Sequence, residues 1–265
     1  MKKITKYSYI TKISLSNNLV YFGDFLARNF FFVFIIYIYM MLWTNIYGSK
    51  GDNIAGFTLN QMIWYLVVTE IVTLSRSNVF NEVNQDVKNG NIAYMLNKPY
   101  NYILYCFSNS LGEMGVKLLT NAIVGLIIGV LCVGPLKNFN FIHLPFIIIS
   151  ILLGIFINFF IHISLSLTSF WLEENSAFFW IYSKLVFTLG GMLIPLELFP
   201  EWLKNISLNL PFAYVTYAPA KLAVNFSFDR FLYTVAFQIM YLGIFFLLSM
   251  GIFRKGAKAL NVNGG

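Results

Sequence analysis

Long apolar runs alternate with short polar stretches along the whole of this chain. A helix needs about 20 apolar residues to cross a hydrocarbon core of ~30 Å. Six stretches qualify, from about Arg28 to Tyr47, Thr58 to Ser77, Ile103 to Gly134, Phe141 to Phe170, Ser176 to Pro195 and Phe231 to Phe253. Backbone groups in lipid must be satisfied internally, so all six are predicted as helices. The fold class that follows is all-α: one polytopic membrane domain over 1–265 with six transmembrane helices.

Two further segments read as interfacial. Residues 1–25 mix Lys with Ile, Tyr and Leu at loose helical spacing, which suits a helix lying on the membrane face. Residues 196–229 are rich in Leu, Phe and Tyr, but Pro200, Pro211 and Pro219, with Pro195 just ahead, cut them into pieces too short to cross. Short re-entrant helices are expected there.

The longest polar interruption in the first half, Glu82 to Pro99, sits within a segment over residues 78–100. Val79 or Phe80, Val83 and Val87 recur at helical spacing, opposite Asn81, Glu82, Gln85 and Asp86. Lys88 in the last turn and Gly90 just beyond predict a short amphipathic helix that ends there, with a second piece, "NIAYML", before Pro99. A bare connection needs only ~2–8 residues. The following apolar stretch runs 32 residues from Ile103 to Gly134, about 48 Å at ~1.5 Å per residue. Its clean apolar part starts near Leu118. Glu113 and Lys117 are therefore expected at the membrane boundary, paired one turn apart in the favourable order.

Composition supports this reading. The chain is 58% hydrophobic and 11% charged, against about 25% charged in soluble domains. The net charge of +7 bears on orientation and anionic lipid, not nucleic acid. With six spans, Lys2, Lys3, Lys6, Lys12, Arg76, Lys88, Lys98, Arg254, Lys255 and Lys258 share one side. Lys50, Lys137, Lys204, Lys221 and Arg230 lie on the other. The positive-inside rule puts the termini and residues 78–100 in the cytoplasm and residues 196–229 outside. The short acidic loop "WLEEN" dissents but carries little weight. No cleavable signal peptide is expected at the start, so the first span serves as its own insertion signal. Cys106 and Cys132 read as small apolar fillers.

Charges inside spans are costly and face a bundle interior or a cavity. Glu70 and Lys184 lie at similar depth, which suggests that they pair across helices; the competing reading is that each lines a substrate path. Asn158, His162 and Ser166 form a polar stripe at i, i+4, i+8, for hydrogen bonds between helices or for the pathway. Gly125 and Gly129 make a small-residue face for close packing. No metal site is expected, since His162 has no ligand at workable spacing. Nor does any P-loop, HExxH or GxSxG motif occur, so this chain is not expected to be an enzyme.

The string "EVNQDVKNGNIAYMLNKPYNY", with Arg76 six residues ahead, resembles the loop between spans two and three of type-2 ATP-binding-cassette (ABC) permeases. "GGMLIPLELFPEWLKNISLNLPF" resembles the end of that family's fifth span and its Pro-rich outer helices. The resemblance implies a six-span exporter subunit whose cytoplasmic loop is a coupling helix docking on an ATPase subunit. Asn81, Glu82, Val83, Gln85, Asp86, Gly90 and Ile92 are the implied contacts. It also implies a second permease subunit, identical or different, a bacterial plasma-membrane location, and a hydrophobic or amphipathic cargo. This chain would bind no cofactor, with ATP and Mg on the partner ATPase. The alternative is an ion-coupled secondary transporter using Glu70, Glu113 or Lys184 in proton relay.

Overall fold

The computed structural model describes residues 2–20, 22–137 and 139–263, and among these twelve α-helices and no β-strands are found. The first, α1 (Lys2–Val20), lies along α6 (Tyr102–Val133). Thr11 and Ser14 donate to the carbonyls of Ser108 and Asn109 at 2.9 and 2.6 Å. At Gly112 a Cβ would stand 2.5 Å from the backbone nitrogen of Leu15, so only glycine lets the two backbones meet.

The helix α3 (Leu59–Leu74) is the central pillar. Its start is a capping box, in which the Thr58 hydroxyl and the Gln61 side chain each accept from the other residue's backbone N–H. Met62, Ile63, Leu66 and Val67 are fully enclosed by Phe32, Ile36 and Trp43 of α2 (Phe22–Lys50), Ile128 of α6, and Ala220 and Val224 of α11 (Tyr217–Val224). At Gly125 and Gly129 of α6, a Cβ would come within 2.8 Å of Ile71 and Trp64 respectively, which places α3 directly against that helix.

A second core joins α7 (Leu144–Ser166), α12 (Phe228–Asn263) and the start of α6, with Ile155, Phe159, Ile163 and Ile103 fully buried. A third packs α7 and α8 (Ser176–Thr188) on the short helices α10 (Pro211–Val215) and α11, which follow α9 (Glu201–Leu208). The outward faces of the long helices stay apolar, with Phe30, Phe31, Leu131 and Leu247 all exposed. Faces of that kind suit lipid.

Among the described residues, four helices are long and apolar enough to cross a membrane: Asn29–Lys50, Tyr102–Val133, Phe141–Phe170 and Phe228–Lys258. The reading of six complete spans is not confirmed. The second and fifth apolar stretches form helices of only 16 and 13 residues, about 24 and 20 Å long. The chemistry around them explains how this is tolerated. Helix α3 is sheathed in protein, so its ends need no lipid match. Beyond α8 the chain leaves the helix at Gly190 and Gly191, the latter at φ 66°, and its bare carbonyls are taken up. Thr216 Oγ1 and Tyr217 N–H donate to the Gly190 carbonyl, and the Tyr65 hydroxyl donates to that of Gly191. Irregular backbone survives at membrane depth only when protein supplies such partners.

Candidate coupling site

Residues 79–96 form α4 (Val79–Lys88) and α5 (Asn91–Leu96), hinged at Gly90 in the left-handed conformation (φ 74°). The helix stops there because an L side chain is disfavoured at that φ.

The apolar ridge of α4 points inward. Val79 and Val83 are buried, with Ile92 of α5, against Val72, Ile103, Ile155 and Phe159, and Phe80 is buried beside them. Each such side chain contributes roughly 1.5–3 kcal/mol, an upper bound given a compact unfolded state. The Phe80 ring also stacks on Phe179 of α8, with centroids 4.5 Å apart.

Polar bonds add direction to that packing. Glu113 and Lys117 of α6 pair at 2.6 Å, their side chains only 12% and 9% exposed. The pair is also a clamp: Lys117 Nζ donates to the Arg76 carbonyl at 2.9 Å, and the Asn78 N–H donates to Glu113 Oε2 at 3.1 Å. The α3–α4 corner is thereby tied to α6. The Tyr102 hydroxyl donates to Asp86 at 2.9 Å, and Lys88 reaches Glu174, before α8, at 3.5 Å. Hydrogen bonds from Ser176, and Lys88 beyond them, hold the Glu174 carboxyl down at about 2.

Of the implied contacts, Asn81, Gln85 and Gly90 lie exposed, and Glu82 and Asp86 are half-buried. Val83 and Ile92 are corrected: they serve the ridge that faces the spans and offer nothing to a partner. Sequence reasoning missed Asn89, Asn91 and Tyr94, all exposed on the same surface, Tyr94 to 68%. A polar cleft of about 250 Å³ opens among Glu82, Gln85, Asp86, Asn89, Asn91 and Asn109. Burial, then Glu113 and Asp86, push the Glu82 carboxyl above the ordinary 4.5.

The intramembrane residues do not converge with this surface. Glu70 is buried on α3, whereas Lys184 is exposed on α8 with its ammonium over Trp180 and Phe187, 5.3 and 5.8 Å from the ring centroids. No ion pair joins Glu70 and Lys184 among the described residues, so the expected pairing is withdrawn. The cause is rotation: Tyr182 and Val186 hold α8 against α7, and Lys184 lies about 200° round the helix from Tyr182 at ~100° per residue. The stripe on α7 faces protein. The Tyr182 hydroxyl donates to Asn158 at 2.6 Å, Ser166 bonds the Ile163 carbonyl, and His162 packs between Phe179 and Tyr182 with Nε2 unpartnered. Cys106 is a buried free thiol and Cys132 is half-buried.

The family model for ABC-2 family transporter proteins matches residues 33–264. The chain belongs to the ABC-2 family. It is a multi-pass membrane permease subunit of an ABC transporter, a class that associates with ABC ATPase subunits. No curated protein matches this permease.

Proposed function

We propose that this permease is one half of an ATP-driven exporter in a bacterial plasma membrane. It dimerises with an identical or different permease to form the pathway for a hydrophobic or amphipathic cargo, such as a drug, antimicrobial peptide, lipid or glycan precursor. ATP and Mg act on separate ATPase subunits, and no catalysis resides on this chain.

One observation carries the reading. The shelf of α4 and α5 turns its apolar ridge and its clamps toward α3, α6, α7 and α8, and leaves an amide- and acid-rich face uncovered. Force applied to that face reaches several spans at once, through the buried ridge, the Glu113–Lys117 clamp and the Phe80–Phe179 stack. The polar cleft beside Glu82 offers acceptors to a donor side chain of the ATPase. On α8, the exposed Trp180, Ile181 and Lys184 are available to the second permease.

The test is co-purification of the full-length permease with its ATPase. Asn81→Arg with Gln85→Arg changes only exposed side chains, so the fold should hold. We expect at least a tenfold drop in retained ATPase with an unchanged thermal midpoint. Undiminished ATPase retention would remove the shelf as the docking surface.

A further inference from the structure

We propose that the opposite end of the permease holds a binding site for a phosphate-bearing anion, at the outer edge of the membrane. A cavity of about 210 Å³ lies between α10, α11 and the first turns of α12. Tyr214, Tyr217, Lys221, Arg230, Tyr233 and Thr234 supply its polar lining. The opening holds more than the ~15 Å³ that a single water requires.

The charges that line this cavity are all positive. Lys221 is 7% exposed; its ammonium contacts Glu197 at 2.6 Å and lies 3.9 Å from the centroid of Phe57. Glu197 stands behind Lys221 and does not line the cavity. Arg230 has no such partner: among the described residues no carboxylate lies within ion-pair distance of it. One guanidinium nitrogen donates to the Asn225 carbonyl, leaving most of its five donors free. Other charges lie outside the lining: Lys204 pairs with Glu201 at 3.8 Å, and Asp229 is exposed to solvent, with no ion pair among the described residues. Two cations line the cavity and no carboxylate does, so its wall is positive. Arg230 also sits in the first turn of α12, where the helix dipole is itself positive.

The hydroxyls fix the chemistry further. Tyr217 donates to Glu197 and Tyr214 to the Leu208 carbonyl, so neither proton is left for a ligand. Thr234 and Tyr233 bring the other two hydroxyls. An ion that accepts a fork of N–H donors and carries negative charge fits this set, and phosphate does so best. Just outside, Phe228, Leu232 and Tyr233 are exposed on α12. Acyl chains can lie along that face while the phosphate sits inside, the arrangement by which basic pockets hold anionic lipids. A soluble phosphate compound satisfies the same donors without using the apolar face.

The experiment uses the full-length permease in phosphatidylcholine nanodiscs and follows its thermal midpoint. Three probes are titrated: dihexanoyl-phosphatidylglycerol, dihexanoyl-phosphatidylcholine and inorganic phosphate. Stabilisation by the phosphatidylglycerol alone identifies a lipid headgroup, whereas equal stabilisation by inorganic phosphate identifies a free anion. In either case Arg230→Gln should raise the half-saturating concentration at least tenfold, and Lys204→Gln should leave it unchanged. Equal responses of wild type and Arg230→Gln overturn the proposal, as does equal weakening by Lys204→Gln, which would mean bulk charge attraction. Should Arg230→Gln give no folding transition, wild type alone decides. A preference below twofold for both anionic probes over phosphatidylcholine then overturns the site.

Discussion

Each end of the permease has a buried ion pair at 2.6 Å, and the two pairs do different work. Glu113 and Lys117 lie one helical turn apart on α6, and their spare donor and acceptor reach out to clamp the α3–α4 corner. Glu197 and Lys221 are 24 positions apart, on the turn before α9 and on α11, so their pairing itself closes the fold. Glu113 has both oxygens engaged. Glu197 accepts Lys221 and Tyr217 on the same oxygen, Oε1, and leaves Oε2 buried and bare. The Glu113–Lys117 pair is fully engaged and the Glu197–Lys221 pair is not, although the shelf keeps bare buried oxygens of its own at Ser77 and Asn84. The contrast therefore lies in what each pair ties together, the α3–α4 corner to α6 or the turn before α9 to α11.

Removing one partner of a buried pair leaves a lone charge, at a cost of about 3–5 kcal/mol. The largest effect is therefore expected from Lys117→Met, which strands Glu113 and frees the Arg76 carbonyl as well. Its thermal midpoint should fall further than that of any other variant here, and adding Glu113→Gln should restore part of the loss. If Lys117→Met melts like wild type, the clamp is decorative. Lys221→Met should do less, about 3 kcal/mol, because Glu197 keeps the Tyr217 hydroxyl as a donor and no backbone carbonyl loses its partner. Reversal of that order would mean that the α9–α11 end is the stiffer one.

Gly190→Ala probes the same end without touching charge. The new Cβ would lie 2.2 Å from the Val186 carbonyl and 2.8 Å from Thr216 Oγ1, so the turn that ends α8 must shift. Overpacking of this kind costs about 1–3 kcal/mol. We expect a lower thermal midpoint with ATPase retention intact, since α4 and α5 lie at the far end of α3. Loss of ATPase together with unchanged stability would show that the two ends are coupled more directly than their packing suggests.

The same contrast explains what could be read from the residues alone. Helix α4, its stop at Gly90, the piece that became α5 and the Glu113–Lys117 pair all follow from neighbours within a few positions, and each stands as expected. The orientation of the α4 ridge did not follow, because apolar spacing says that a face is buried and never by what. The failed Glu70–Lys184 pairing has the same origin. Depth along a helix is readable from sequence, but rotation about its axis depends on what Tyr182 and Val186 pack against. Equal hydropathy likewise hid the short lengths of α3 and α8, whose ends are completed by Tyr65, Thr216 and Tyr217 from elsewhere in the chain.

Glu82 gives the smallest effect and the sharpest test of the shelf. Its carboxyl titrates above 4.5 in the folded permease because burial, Glu113 and Asp86 all disfavour its charge. A carboxyl raised by folding destabilises the fold once the pH passes the ordinary value, and the penalty is complete above the raised one. Glu82→Gln should therefore stabilise the isolated permease at neutral pH, by no more than about 0.5 kcal/mol for a half-exposed group. The gain should vanish below pH 4.5, where both forms are neutral. A residue that is better replaced for stability, yet sits at the mouth of a polar cleft, is a candidate for a contact made through its charge. If the ATPase binds through it, Glu82→Gln will hold less ATPase while melting at or slightly above the wild-type midpoint. A variant that melts lower at neutral pH would show instead that Glu82 belongs to the scaffold.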